Sequence, residues 1–396
     1  MSPPGSGPGG RRDGGSRTNG VAWRGEGFAQ ARHGAGGTMS EREPDPVEQE
    51  EFAGRVLQVL NDACLGFMAS LGHRTGLFDT MAGLPPSTVE EVAAAAGLDG
   101  RYVREWLGAM VVGGFVEYEP QRHSYRLPPE HAASLTRAAG PENLAGMTQY
   151  LALFGEVEDG IVEAFRTGGG LPYSAYPRFQ ALQAEESAAG YDLALVDAVV
   201  PLVPGLTERL RAGIDAVDIG TGQGHAVNVL ARAFPASRFT GTDISEQGIG
   251  AAKAEAAAHG LDNARFVLAD SADLTGGYDL VTAFDVVHDL ARPDRTLRAV
   301  AGVLRPEGVF LMGDVAASSL LEENIDHPLA PALYTFSTFY CMTVSLGEGG
   351  AGLGTVWGEQ TARRMLAEAG FGSVDVSRIE GDPLNQYYVA RLAVAA

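Results

Sequence analysis

Positive charge is scarce in this chain: 29 Lys and Arg stand against 50 Asp and Glu over 396 residues, a formal net charge of -21 at pH 7. Such a surface repels a phosphate backbone and anionic lipid over most of its area, which argues against nucleic-acid and membrane partners. Cysteine is rarer still. Cys64 and Cys341 lie far apart without metal-ligand spacing, so neither a disulfide framework nor a zinc site is expected, no metal ligands are assigned, and a reducing, cytoplasmic setting is. No run of about 20 apolar residues is present to span a bilayer. No apolar segment follows the N-terminal arginines as a secretory signal requires, and no internal repeat is apparent.

The first 38 residues are rich in Gly, Pro, Ser and Arg and almost devoid of apolar periodicity. They cannot offset the entropy of ordering, so a disordered extension is expected, with the boundary drawn at residue 45. Met39 is a candidate true start. The remaining length suits one large domain plus a smaller helical one. From Phe52 the spacing is helical, with Val56, Leu60, Cys64, Phe67, Met68 and Leu71 on one broad face. A face of that breadth needs a partner, and a homodimer in which these helices help close the partner's site is expected.

A capped helix, a turn at Gly97 to Gly100, a second helix and a short two-strand wing on either side of Pro120 to His123 then read as a winged helix-turn-helix over 46–140. Arg101 and Arg104 on the second helix could meet DNA phosphates, but Glu105 and the overall acidity favour packing or dimerisation. A helical connector and an aromatic-rich loop occupy 141–200. From 201 to the end, strands at Ala216 to Ile219, Arg238 to Thr242, Ala264 to Leu268, Tyr278 to Phe284 and Val309 to Met312 alternate with helical runs. Two last strands have no helix between them. The expectation is an α/β, Rossmann-like seven-stranded, mostly parallel sheet with a C-terminal antiparallel hairpin, carrying an insertion at 315–357.

Two glycine runs compete as a ligand cradle. "VDIGTGQGHAV" follows a strand and opens a helix, so Gly220, Gly222 and Gly224 let the backbone turn tightly against a ligand at the helix N-terminus. "LGEGGAGLGTVWG" contains G-x-G-x-x-G at Gly347, Gly349 and Gly352, but no strand-helix unit frames it, and it reads as a mobile loop. In the first run the bulky His225 stands where a dinucleotide fingerprint wants Gly or Ala, which argues against NAD. Asp243, at the end of the second strand, can accept both hydroxyls of a ribose. Asp270 ends the third strand, where an adenine amino group can be read.

With "VDIGTGQG", "GTDIS", "LADSADL" and "AFDVVHDLARPDRTLRAVAGVLRPEGVFLMGD", the chain resembles class I S-adenosylmethionine-dependent methyltransferases, in particular small-molecule O-methyltransferases with an N-terminal winged-helix domain. The resemblance covers most of the chain from about residue 52. It implies S-adenosyl-L-methionine as cofactor and a cofactor site at Asp218, Gly220, Thr221, Gly222, Gly224, Asp243, Ile244, Asp270, Ser271, Phe284 and Asp285. It implies His288 as general base and Asp289 as the residue that orients it. Asp314 departs from the plant-type pattern, in which Glu is common at that strand end, and the insertion makes the acceptor pocket this chain's own.

Methyl transfer from a sulfonium is an in-line displacement that needs positioning and, for a hydroxyl, removal of a proton. An imidazole of ordinary pKa, about 6.5, suits that role at neutral pH. Tyr150, Phe154, Tyr173, Tyr176, Tyr334 and Tyr340 are candidates for an aromatic pocket or for ordinary core. His327 reads as an ordinary turn residue, with a second acid-base group or a metal ligand beside Asp326 as the alternatives. The acceptor is expected to be a small molecule. The alternatives are a related enzyme that uses the same cofactor without transferring methyl, and a DNA-binding regulator.

Overall fold

The computed structural model describes residues 45–393. The extension expected to be disordered, and Met39 within it, lie outside the described residues. Helix α1, Pro46–Arg74, begins where Asp45 accepts the Val47 N–H at 2.9 Å and Pro46 supplies a preset first turn. α2 (Leu77–Ala82) follows the left-handed Gly76. α3 (Val89–Ala96) is started by a capping box between Thr88 and Glu91 and stopped by left-handed Gly97. α4 (Gly100–Val112) is capped by Asp99. The wing is the antiparallel pair β1 (Glu117–Glu119) and β2 (Ser124–Arg126), with Glu117 opposite Arg126.

Phe78, Val92, Leu107 and Met110 form the buried centre of this unit, and the Trp106 indole N–H donates to the Met68 carbonyl at 2.8 Å. Among the described residues nothing covers the outer face of α1: Phe52, Val56, Leu57 and Leu60 are all more than half exposed. On α4 the two arginines are matched by acids, Arg101 by Glu105 and Arg104 by Glu90.

The large sheet contains β3 (Asp215–Ile219), β4 (Arg238–Asp243), β5 (Ala264–Leu268), β6 (Tyr278–Phe284), β7 (Leu304–Val315), β8 (Phe371–Ser377) and β9 (Asn385–Leu392), in the order β5-β4-β3-β6-β7-β9-β8. Strands β3 to β7 are parallel. β9 inserts between β7 and β8 and is antiparallel to both. Near-continuous burial along β3, β6 and β7 reflects apolar cover on both faces, as parallel sheets require. The strand order reverses between β3 and β6, which opens a crevice outside their carboxyl ends.

Two segments roof that crevice. One is the connector, with helices Gln149–Thr167 and Phe179–Gly190; the other is the insertion after β7, helical from Ala330 to Gly347. They meet in an apolar cluster of Tyr150, Leu153, Phe154, Phe179, Tyr340 and Val344. β7 runs three residues beyond the expected Met312 because β9 continues to pair with it, Val315 opposite Asn385. That extra length carries Asp314 to the lip of the crevice.

Candidate active site

The turn after β3 places Gly220, Gly222 and Gly224 in the left-handed region, with φ of 63°, 54° and 75°. A Cβ on Gly220 would lie 2.5 Å from the Val286 methyls, and one on Gly224 would collide with Ala252 and Phe266. A Cβ on Gly222 would meet nothing within 4 Å. Packing therefore dictates the outer two glycines, while the middle one faces open space beside the N-terminus of helix His225–Ala233. His225 turns away from that space, with Nδ1 at 2.6 Å from Glu255 Oε1.

Asp243 closes the cradle from the end of β4. Its Oδ2 accepts the Gly222 N–H and its Oδ1 the Ser245 N–H, each at 2.7 Å. Burial raises this carboxyl, and those two N–H groups oppose the rise. Each oxygen retains a second lone pair for a ribose hydroxyl. Ile244 is exposed at the same edge. Asp270 is exposed and caps the short turn Ser271–Asp273 through Ala272 N–H at 2.8 Å, while Ser271 is buried. The open glycine face and a carboxylate with lone pairs to spare fit a nucleoside cofactor such as S-adenosylmethionine.

Asp218 is held inside the sheet. It accepts the Thr282 hydroxyl at 2.6 Å, and burial pushes its carboxyl up to about 6. Thr221 contributes through its backbone N–H, which donates to Thr242 O at 2.9 Å. Phe284 packs on Tyr191 at the end of β6, with ring centroids 5.7 Å apart. Asp285 sits at φ 55°, an uncommon conformation for a residue with a Cβ, and its N–H donates to Gly313 O at 3.0 Å. Burial, reinforced by Asp314, raises the Asp285 carboxyl to about 7.

His288 is buried at the same lip, and its Nδ1 lies 2.8 Å from Asp314 Oδ1. The carboxylate hydrogen-bonded to the ring is thus Asp314, and not the neighbouring Asp289 expected to pair with it. The cause is the extended β7, which delivers Asp314 beside the ring, whereas the next residue in the loop departs from it. Asp314 is fully buried and also accepts from Val315 N–H at 2.8 Å and Trp357 Nε1–H at 3.1 Å. With Nδ1 donating to Asp314, Nε2 is the nitrogen left to take a proton. Cys341 of the insertion borders the same ring. Burial, the largest single influence, would lower the His288 pKa, but the charge and hydrogen bond of Asp314 together with Cys341 outweigh it and hold the imidazole well above its ordinary value. The expectation of an ordinary imidazole is corrected accordingly.

Asp289 remains half-buried, and its carboxyl is raised to about 7 by burial, with His288 opposing. Its backbone oxygen accepts the Tyr173 hydroxyl at 3.2 Å. Tyr150, Phe154, Tyr173, Tyr176 and Tyr340 gather over this lip; Tyr340 stacks on Phe179 with centroids 3.2 Å apart, and Tyr176 meets Tyr340 edge-on at 5.0 Å. Tyr334 stands apart and is bonded to Asn324. His327 occupies a turn, accepting Leu329 N–H at 3.2 Å. The second glycine run, expected to be a mobile loop, is tied to the site: Ala351 N–H donates to Ala291 O and Gly354 N–H to His288 O, both at 3.0 Å. No group of metal-binding side chains occurs among the described residues.

Comparison with known proteins follows the same division. Residues 63–137 match the family described as Rv2258c-like winged HTH domain, and residues 210–370 match Methyltransferase domain. Among curated relatives, the fatty-acid O-methyltransferase of Mycolicibacterium smegmatis is 33% identical over 105 residues, which is 26% of this chain and 37% of the relative. The nocamycin O-methyltransferase of Saccharothrix syringae is 36% identical over 143 residues, 33% of this chain and 50% of the relative. The matched stretches thus span half or less of these relatives.

In solved structures, the mitomycin 7-O-methyltransferase MmcR superposes with TM-score 0.65 at 17% identity, covering 88% of this chain and 100% of that one. The human N-acetylserotonin methyltransferase in complex with SAM gives 0.62 at 18%, covering 89% and 100%. The chain has the methyltransferase fold. Along the chain, the segment that matches a winged helix-turn-helix domain is followed by one that matches a methyltransferase domain.

Proposed function

We propose that this protein transfers a methyl group from S-adenosylmethionine to a hydroxyl oxygen of a small molecule, with His288 as general base. The observation that carries the reading is the buried His288–Asp314 pair at the crevice lip, on the same sheet edge as the glycine cradle and Asp243. When bound, the cofactor supplies an electrophilic methyl on a sulfonium. Asp243 and the Gly220–Gly224 turn would hold its ribose and backbone-facing side, with Asp270 near the adenine. His288 Nε2 takes the acceptor proton, and Asp314 fixes the ring and stabilises the imidazolium that forms. The aromatic wall and the insertion keep water from the lip.

The uncovered apolar face of α1 supports a homodimer. The acidic partners of Arg101 and Arg104 support a winged helix that packs and does not bind DNA. The two unpaired cysteines support the cytoplasmic setting. Incubating the protein with S-adenosylmethionine and a panel of phenols and alcohols tests the reaction. Release of S-adenosylhomocysteine in step with an O-methylated product is expected. Consumption of the cofactor with hydroxylated or decarboxylated products would replace methyl transfer by a related reaction.

A further inference from the structure

The second glycine run takes no part in the cradle at Gly220–Gly224, yet it makes direct contact with the His288–Asp314 pair. Ser345, fully buried in the insertion, donates its hydroxyl to Leu290 O at 2.8 Å and accepts Gly352 N–H at 3.0 Å. This folds the run back onto the loop that carries His288. The approach is backbone on backbone: a Cβ on Gly350 would lie 2.4 Å from Ala291 Cα, and Ala351 N–H donates to Ala291 O at 3.0 Å. The run then closes in a turn from Gly354 to Trp357. Gly354 N–H donates to His288 O at 3.0 Å, Gly354 O accepts Trp357 N–H at 3.1 Å, and Trp357 Nε1–H donates to Asp314 Oδ1 at 3.1 Å. One short turn thereby holds both members of the pair.

Trp357 is itself buried, in the apolar cluster that includes Val287, Met312 and Leu366, so its indole is held in place by packing. Asp314 Oδ1 accepts from His288, Val315 and Trp357, while Oδ2 has no partner among the described residues. A donor on a carboxylate disperses its charge and weakens its attraction for a neighbouring cation. The other titratable groups that face the pair are Asp285 and Asp289 on the loop after β6, Cys341 on the insertion and Tyr388 on β9. We propose that Trp357 is a positioning residue for the base: its indole N–H fixes the rotation of the Asp314 carboxylate and tempers the hold of that carboxylate on the His288 ring, while Gly354 fixes the main chain of His288. The inference rests on the reading of His288 as general base and extends that machinery to the glycine run of the insertion. A base held too firmly as imidazolium cannot take a proton at neutral pH, so a donor that tempers Asp314 widens its working range.

The test follows the ring itself and needs no acceptor. Full-length protein, isotope-labelled at histidine Cε1 and tryptophan Nε1 and saturated with S-adenosylhomocysteine, is titrated by NMR from about pH 6 to about pH 10, a span that starts below the ordinary imidazole value. The His288 signal is identified by its loss in His288→Asn. In the wild type, one of the three tryptophan indole signals is expected to shift with the midpoint of His288, and Asp314→Asn should uncouple them. Trp357→Phe keeps an aromatic ring in the core and removes the donor, so its His288 midpoint should move up by about half a pH unit or more. A ring that merely fills the core would leave the midpoint in place. The absence of any indole signal that follows His288, coupling that persists in Asp314→Asn, or a midpoint unmoved or lowered in folded Trp357→Phe would overturn the clamp. Should that variant fail to fold, the wild-type signals decide. Turnover plays no part, so a protein that shows this coupling yet transfers no methyl would defeat the proposed reaction and leave the clamp standing.

Discussion

His288 Nδ1 and Asp314 Oδ1 lie 2.8 Å apart, and the carboxylate that makes this contact is completely buried. The two residues come from the ends of adjacent parallel strands, where Phe284 stands opposite Gly313. The pair therefore ties the carboxyl end of β6 to that of β7, beside the switch between β3 and β6. Its second consequence is electrostatic, because a buried carboxylate at that distance favours the imidazolium.

That raised pKa fixes the sign of the pH dependence. His288 must be neutral to accept a proton, so kcat/KM should rise with pH, with its midpoint above the ordinary imidazole value of about 6.5. Asp314→Asn removes the charge that raises the pKa, so the acidic limb should move to lower pH while the maximum rate falls. An unchanged limb in Asp314→Asn would show that another group titrates. Asp289→Asn is the companion variant, since the Asp289 carboxyl is itself raised to about 7.

Asp243→Ala should weaken binding of S-adenosylhomocysteine by about 1–3 kcal/mol, the usual range for charge-assisted hydrogen bonds to a ligand. Calorimetry reads this directly, and wild-type protein should show no binding of NAD. An affinity equal to wild type in the variant would move the ribose site elsewhere.

Gly220 and Gly222 should respond differently to alanine. Gly220→Ala places a Cβ against Val286 at a left-handed φ, so a loss of about 1–3 kcal/mol of stability is expected in denaturant titrations. Gly222→Ala has room, so its loss should be smaller, of order 1 kcal/mol from backbone strain. Its larger effect should appear in cofactor affinity. Equal loss of stability in both would contradict an open middle glycine.

The exposed face of α1 should be an interface. Light scattering should report a dimer for the wild-type protein, and Phe52→Glu combined with Leu60→Glu should give a folded monomer. A wild-type monomer would leave that face without an occupant. Salt-sensitive retention of a DNA fragment by the wild-type protein would revive the regulator reading of the winged helix.

The parts of the molecule legible in the sequence are those governed by short-range rules. The glycine turn, the capping box at Thr88 and Glu91, and the apolar strands each declare themselves within a few residues. The His288 partner did not, because neighbouring His288 and Asp289 suggest each other on paper while Asp314, 26 residues on, is brought close only by the pairing of β6 and β7. The signal was present in part: Asp314 ends an apolar strand parallel to the one that precedes His288.

The most direct measurement is the turnover of His288→Ala with a hydroxyl acceptor, taken beside its affinity for S-adenosylhomocysteine. Proton removal by His288 predicts a fall in kcat of about 10²–10⁴ with cofactor affinity nearly unchanged, since the ring stands at the acceptor lip and outside the Asp243 cradle. Near-wild-type turnover would contradict the general-base role and leave catalysis to positioning alone.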